Sequence, residues 1–149
     1  MGTNVELYEH DFFAWTQTTA TLIRQGKWHD LDAEALAEEV ESLGKSQHRE
    51  LGSRLDILVM HLLKYCYQDT ERSGSWRSTI RTQRRELRRL LQQNPSLRPL
   101  VSMTIADGYA DARLEASDET SLPLVTFPET CPWTAAQVLE ADFWPAAGS

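Results

Sequence analysis

The chain has 149 residues, of which 41% are hydrophobic and 25% are charged, and its formal net charge is −7. These proportions are typical of a folded, water-soluble protein, and no run reaches the ~18 consecutive apolar residues that a membrane span requires. The first residues have neither a basic start nor an apolar run, so we expect no secretory signal there. The two cysteines, Cys66 and Cys131, are too few for a disulfide framework or an all-cysteine zinc site. We therefore expect a cytoplasmic protein without membrane contact, folded as a single helical domain over residues 1–149.

Helical periodicity dominates the first half of the chain. Apolar side chains recur at steps of three and four over residues 8–22, which predicts one helix that ends near Gly26. Asp32 is a suitable N-cap for a second helix, because its carboxylate can accept free amide hydrogens of the first turn. The same spacing over residues 36–65 predicts a second helix of about eight turns. A kink or a break is left open at two glycines within it, Gly44 and Gly52.

A third and a fourth helix are expected on either side of a proline-containing segment. The apolar face of the third helix runs from Trp76 to Leu90, and Pro95 stops this helix because a proline cannot sit in a helix interior. Pro99 suits the first turn of the fourth helix. The apolar face of that helix comprises Val101, Ile105, Tyr109, Ala112 and Ala116.

The chain changes character after Leu122. Prolines there favour extended backbone, and Thr134 with Gln137 has the pattern of a capping box that opens a short final helix. We therefore predict an all-α fold, a helical bundle of about four main helices over about residues 5–120. A proline-rich C-terminal arm over about residues 121–145 is expected to lie over this bundle, with Cys131 as a packing residue.

Charged residues are segregated along the chain. Six acidic residues and no lysine or arginine occupy residues 30–41, whereas seven arginines and one acid occupy residues 72–89. Such segments are expected to neutralise each other across a fold. In the alternative hypothesis, four arginines of the third helix bind phosphate or nucleic acid: Arg77, Arg81, Arg84 and Arg88. The acidic net charge argues against nucleic acid as the main partner.

Carboxylates of the second helix are the main candidate metal ligands. Glu34, Glu38 and Glu41 lie on one helix face, and together with His48 or His61 they would suit iron, manganese or zinc. The Glu-x-x-His pairs of di-iron bundles are absent, so we favour an exposed acidic face and expect neither a metal nor a cofactor. An enzyme that uses Glu38, Glu41 and His61 stays open as an alternative. Motifs of nucleotide-binding, metalloprotease and esterase sites are absent from the sequence.

Two polar residues interrupt apolar faces and need hydrogen-bond partners. His61 is expected to lie at the edge of the core and to bond a partner such as Asp11 or Arg77, and in the alternative it is a general base with a shifted pKa. Gln83 is expected to bond the backbone or a neighbouring side chain. The candidate polar cluster comprises Glu38, Glu41, His61, Arg77, Gln83 and Arg84.

Short motifs spread from Leu7 to about Pro145 carry a family resemblance. They include Leu7-Tyr8-Glu9-His10-Asp11-Phe12, Ser75-Trp76-Arg77, Ser96-Leu97-Arg98-Pro99 and Thr126-Phe127-Pro128-Glu129-Thr130-Cys131-Pro132. Taken together, these motifs resemble the bacterial family named domain of unknown function 29. The resemblance implies a mostly helical domain of this length and supplies no catalytic residue. With charge segregation and many aromatic residues but no catalytic signature, we predict a small protein-interaction module without catalytic activity, for which a homodimer is one arrangement.

Overall fold

The structure, a computed structural model, describes residues 4–68 and 73–146. Over these residues the regular secondary structure is entirely helical, which confirms the predicted all-α class. None of the described helices is long and apolar enough to cross a membrane. The chain divides into an N-terminal unit, Met1–Ser46, and a C-terminal unit, Gln47–Ser149. The α-helices are α1 (Asn4–His10), α2 (Phe12–Arg24), α3 (Ala33–Tyr67), α4 (Gly74–Gln93), α5 (Val101–Thr120) and α6 (Ala135–Leu139).

The N-terminal unit begins with two helices, so the prediction of a single helix over residues 8–22 is wrong. The break falls at Asp11, whose carboxylate accepts a hydrogen bond from the backbone N–H of Ala14 at 3.1 Å and caps α2. Aspartate competes for backbone hydrogen bonds in this way, so one residue ends α1 and starts α2 while the apolar spacing continues. Gly26 follows α2 with a φ of 69°, a left-handed conformation that glycine adopts without steric cost.

The predicted cap of the long helix is confirmed, and the helix extends slightly beyond the predicted residues 36–65 at both ends. Oδ1 of Asp32 accepts a hydrogen bond from the backbone N–H of Ala35 at 3.1 Å. From there α3 continues for 35 residues, and neither Gly44 nor Gly52 interrupts it. Each glycine disfavours a helix by ~1 kcal/mol relative to alanine, and beside Gly52 the burial of Leu51 and Leu55 outweighs that cost.

The second half of α3 forms the centre of the C-terminal unit. Leu51, Leu55, Leu58 and Leu62 are each at most 1% exposed, and burial of one leucine side chain contributes about 1.5–3 kcal/mol. The predicted apolar face of α5 packs into the same core, and all of its members are buried: Val101, Ile105, Tyr109, Ala112 and Ala116.

The segments that flank α5 depart slightly from the sequence prediction. Pro95–Leu100 forms a 3₁₀ helix, so Pro99 precedes α5 and does not lie in its first turn as predicted. After α5, the backbone of the C-terminal segment is fixed by side chains of that helix. Tyr109 Oη donates to the carbonyl oxygen of Pro128 at 2.7 Å, and Arg113 Nε donates to that of Phe127 at 3.0 Å.

The short helix α6 starts where the sequence places it. The Thr134 hydroxyl accepts a hydrogen bond from the backbone N–H of Gln137 at 3.1 Å, and the Gln137 side chain accepts one from the backbone N–H of Thr134 at 2.9 Å. This reciprocal pair is the predicted capping box. It gives a helix of five residues a defined start beside the core of the C-terminal unit.

Helices α3 and α5 approach closely at Gly108. A Cβ atom at this position would overlap the carboxylate of Asp56, so only glycine fits there without moving that side chain. Burial, together with the charges of Asp111 and Glu115, raises the pKa of Asp56 from 3.8 to about 6. The ionised carboxylate is therefore disfavoured in the folded protein.

Replacing Asp56 by asparagine is expected to stabilise the protein at neutral and alkaline pH. A carboxyl group whose pKa is raised on folding binds its proton more tightly in the folded state, so its ionisation lowers the free energy of unfolding as pH rises from about 4 to about 6. We expect Asp56→Asn to raise the free energy of unfolding by about 1 kcal/mol at about pH 8, a figure reduced for solvent screening, and to change it little at about pH 4. Urea unfolding followed by circular dichroism measures both values. Asp142→Asn, at an exposed carboxylate after α6, is the control, and a loss of stability in Asp56→Asn at pH 8 would contradict the account.

Candidate functional site

An open groove lined by apolar side chains lies on the N-terminal unit. It has a volume of about 570 Å³ and is formed by the 3₁₀ turn Trp28–Asp30 and the start of α3. The side chains of Trp28 and Val40 are 62% and 59% exposed. We call this surface the apolar groove, and its lining residues are Trp28, Leu31, Ala33, Leu36, Ala37, Val40 and Glu41.

The N-terminal unit leaves much of its apolar surface exposed. Only three of its described residues are buried: Trp15, Thr19 and Ala35. By contrast, seven of the twelve large apolar side chains that are exposed in the described chain belong to this unit: Val5, Phe12, Phe13, Ile23, Trp28, Val40 and Leu43. Two of them, Trp28 and Val40, lie together in the apolar groove, which makes the groove the candidate binding surface of this unit.

The acidic residues at the start of α3 bond within the N-terminal unit. Tyr8 Oη donates to Glu39 Oε1 at 2.6 Å and lies 3.2 Å from Glu38 Oε2. Its hydrogen bond to Glu39 is the largest of several causes that raise the pKa of Tyr8. Glu41 is exposed and lines the apolar groove. Within residues 4–68 and 73–146, no group of three or more histidine, cysteine, aspartate or glutamate side chains is placed to hold a metal ion.

His61 is half-buried on α3 and bonds its own helix. Its Nδ1 lies 2.9 Å from the carbonyl oxygen of Ile57, four residues earlier, so the partner of this nitrogen is the backbone of its own helix and not Arg77. Burial lowers the pKa of His61, which keeps the imidazole neutral near neutral pH. The ring is thus held by a backbone carbonyl of the helix that carries it.

Gln83 and Glu86 of α4 have partners within the C-terminal unit. Gln83 Oε1 accepts a hydrogen bond from Arg54 Nη1 at 3.2 Å, as expected for a half-buried amide. Glu86 pairs with Arg85 at 3.6 Å and with Arg89 at 3.4 Å. Exposed pairs of this kind contribute only ~0.2–1 kcal/mol each. These contacts of α4 therefore lie inside the C-terminal unit, and the hydrogen bonds of Tyr8 lie inside the N-terminal unit.

Arg84 differs from the other arginines of α4, which are exposed, because its side chain is only 3% exposed. Its Nε donates to the carbonyl oxygen of Val138 at 2.9 Å, and its Nη2 lies 3.4 Å from that of Gln137. The Val138 carbonyl belongs to the last turn of α6, where helix carbonyls lack intrahelical partners. The guanidinium carbon also lies 5.6 Å from the centroid of the Trp144 ring, within the range of a cation–π contact. The remaining nitrogen, Nη1, is buried and has no hydrogen-bond partner within residues 4–68 and 73–146.

The candidate polar cluster divides by burial. Glu38, Glu41 and Arg77 are exposed, His61 and Gln83 are half-buried, and Arg84 is buried. Among the described residues of the C-terminal unit, no hydrogen bond or ion pair joins two members of the cluster. The cluster members there serve separate local roles.

A cavity of about 520 Å³ lies between α5 and the C-terminal segment. Tyr109, Cys131 and Trp133 are among the residues that line it. Burial raises the pKa of the Cys131 thiol, whose Sγ lies 3.5 Å from the carbonyl oxygen of Trp133. A thiol with a raised pKa is a poor nucleophile near neutral pH, which fits a packing role for Cys131.

The family described as Domain of unknown function DUF29 matches residues 7–144. The chain belongs to the DUF29 family. The match confirms the resemblance that the sequence motifs carry. Comparisons with curated proteins and with solved structures give no match. The family description names no activity, so the function of this DUF29 protein has to be inferred from its own geometry.

Two buried charges of the DUF29 protein were not anticipated from its sequence. Lys64 is 6% exposed, and its Nζ lies 2.5 Å from Glu119 Oε2 and 4.8 Å from the centroid of the Trp76 ring. Arg84 has a clear signal in retrospect, because it follows Ile80 by four residues and precedes Leu87 by three. That spacing places Arg84 on the buried face of α4.

Removing the Arg84 guanidinium is expected to destabilise the C-terminal unit. Arg84→Met keeps much of the side-chain volume but leaves the Val138 carbonyl unpaired, at a cost of about 1–3 kcal/mol. Arg81→Met is the matched control, because Arg81 also lies beside Trp144, at 5.5 Å, but is exposed. We expect the control to change the free energy of unfolding by less than ~1 kcal/mol. Urea unfolding measures both, and equal effects of the two substitutions would contradict the role of Arg84.

Proposed function

We propose that the N-terminal unit of this DUF29 protein binds a basic amphipathic helix of another protein in the apolar groove. The protein acts in this proposal as a binding module and not as a catalyst. The apolar residues of the partner helix, repeated at steps of three and four, insert between Trp28 and Val40. Its basic residues face the acidic side chains around them. This is the helix-in-groove mode of peptide recognition.

The observation that carries the proposal is the exposure of two large apolar side chains that line the groove, Trp28 and Val40. A unit with three buried residues and seven exposed large apolar side chains gains little from its own core. A partner that covers Trp28 and Val40 removes their apolar surface from water, and each Å² removed contributes roughly 25 cal/mol. Trp28 is also of the residue type most enriched among binding hot spots.

The negative net charge of the N-terminal unit supports a basic partner. Residues 4–46 contain nine acidic residues and three lysines or arginines, which gives 3 − 9 = −6. Glu41 lines the apolar groove itself. Complementary charge speeds association and excludes acidic competitors, so lysine and arginine are expected beside the apolar face of the partner helix.

A cytoplasmic location forms part of the proposal. The sequence supports this location, because two cysteines, Cys66 and Cys131, are too few for the disulfide framework that is typical of small secreted domains. The partner is accordingly sought among cytoplasmic proteins of the same cell.

Site-specific photo-crosslinking in the cells that encode the protein tests this function. A photoreactive amino acid in place of Val40 or Trp28 is expected to capture one discrete protein from both positions. Mass spectrometry of the crosslinked peptide is expected to identify a basic, amphipathic helical segment. The control position is Phe13, which is 73% exposed in the same unit and does not line the groove.

The captured segment then provides a quantitative test with a synthetic peptide. Val40→Asp is expected to weaken peptide binding by about tenfold or more, equivalent to ~1.4 kcal/mol, because it places an unpaired charge in the groove. Phe13→Asp makes the same chemical change outside the groove and is expected to change affinity by less than about twofold. Capture of a second copy of this chain alone, an acidic segment, or equal capture from position 13 would contradict the proposal.

A further inference from the structure

A smaller cavity with an unusual concentration of arginines lies in the C-terminal unit. Its volume is about 330 Å³. Helix α4 supplies Arg84 and Arg88, which are four residues and so about one turn apart, and the 3₁₀ helix Pro95–Leu100 supplies Arg98. We call it the arginine cavity, and its lining residues are Arg84, Arg88, Leu91, Gln92, Arg98 and Leu139.

The positive charge of the arginine cavity is not neutralised by an ion pair. Among the described residues, no carboxylate lies within the 4.0 Å of an ion pair from Arg84, Arg88 or Arg98. Other arginines of the same helix do have such partners, as Arg85 and Arg89 show. The arginines without a carboxylate partner include all three that line this cavity.

Arg84 adds an independent indication of a ligand. Its Nη1 is buried and has no hydrogen-bond partner in the described part of the chain, although Nε and Nη2 both face backbone carbonyls. A buried N–H group without an acceptor is costly and rare in native proteins. Burial also lowers the pKa of Arg84, and the charge of Glu140 opposes this effect only in part. An anion beside Nη1 would supply both the acceptor and the opposite charge.

We propose that the arginine cavity binds the phosphate group of a small molecule, with Arg84 at its buried end and Arg88 and Arg98 at its exposed edge. Guanidinium groups donate paired hydrogen bonds that match the oxygens of a phosphate. The volume lies at the lower end of the range for small-molecule sites. Leu91 and Leu139 line the same cavity and give the carbon part of the ligand an apolar wall.

The cavity favours a small phosphate ester over a nucleic acid. Nucleic-acid binding through α4 would use a row of exposed arginines, including Arg77 and Arg81. Neither of these lines the arginine cavity. The site is therefore built around the buried Arg84, and it shares no lining residue with the apolar groove.

Replacing Glu140 tests the proposal in the opposite direction, because it is expected to strengthen phosphate binding. Its charge acts on Arg84 without forming an ion pair with it, and it raises the Arg84 pKa against the effect of burial. A carboxylate near the site repels an incoming phosphate. Glu140→Gln is therefore expected to tighten phosphate binding by about two- to fivefold, which corresponds to a weakly screened charge contact.

Titration of the full-length protein with inorganic phosphate, followed by NMR of the arginine Nε–H groups, tests the proposal. We expect saturable shifts of the Arg84 signal. Arg88→Gln and Arg98→Gln are expected to weaken binding by about tenfold or more each, the range of a charge-assisted hydrogen bond. Arg77→Gln removes the same charge from an exposed position of α4 outside the cavity and is expected to change affinity by less than about twofold. Because Arg88 and Arg98 are exposed, these variants are expected to fold normally.

Three results would overturn the phosphate site. The first is the absence of saturable shifts up to ~10 mM phosphate, a concentration that reveals a Kd of ~1 mM. The second is an equal loss of affinity in Arg77→Gln and Arg88→Gln, which would indicate diffuse charge along α4 or, if a single-stranded oligonucleotide binds more tightly than phosphate, a nucleic-acid surface. The third is tighter binding of acetate than of phosphate, which would assign the cavity to a carboxylate.

Discussion

Burial of the Arg84 guanidinium is the constraint on which the C-terminal unit depends. A charged group leaves water at a large cost unless hydrogen bonds and nearby charges compensate it. Here the carbonyl groups of Gln137 and Val138 and the ring of Trp144 provide that compensation. Since Arg84 lies on the buried face of α4, α6 has to end against that face. The same arrangement leaves Nη1 without a partner, which is why the arginine cavity is a candidate binding site and not simply a gap in the packing.

The two units carry surfaces of opposite chemical character. The N-terminal unit has a net acidic sequence and an apolar groove bordered by Trp28 and Val40. The C-terminal unit has a closed hydrophobic core and a cavity lined by three arginines. A partner helix suits the first surface and a small anion suits the second. An all-α fold by itself selects neither function, so both proposals rest on side chains and not on the fold class.

Local signals in the sequence predicted the helices well, whereas contacts between distant residues could not be predicted. Asp32 and Thr134 mark helix starts because capping needs only the next three residues. Asp11 caps α2 by the same local chemistry, but the apolar spacing continues across it and predicts a single helix. Arg84 shares the spacing of the core residues of α4, but its partner Val138 lies 54 residues later in the chain. The spacing therefore indicates the buried face of α4, but the groups that accept hydrogen bonds from Arg84 could not be predicted. The apolar groove was missed for a similar reason, because exposure depends on tertiary packing.

Hydrogen exchange of the arginine Nε–H groups, measured by NMR on ¹⁵N-labelled protein, tests the central role of Arg84 most directly. The Nε–H of Arg84 is buried and donates to the Val138 carbonyl at 2.9 Å, whereas Arg77 is exposed. Exchange of the Arg84 proton therefore requires opening of the C-terminal segment, and we expect it to be roughly 100-fold slower than exchange at Arg77. Equal exchange rates at the two arginines would show that Arg84 is open to water, and would contradict both its structural role and the buried end of the arginine cavity.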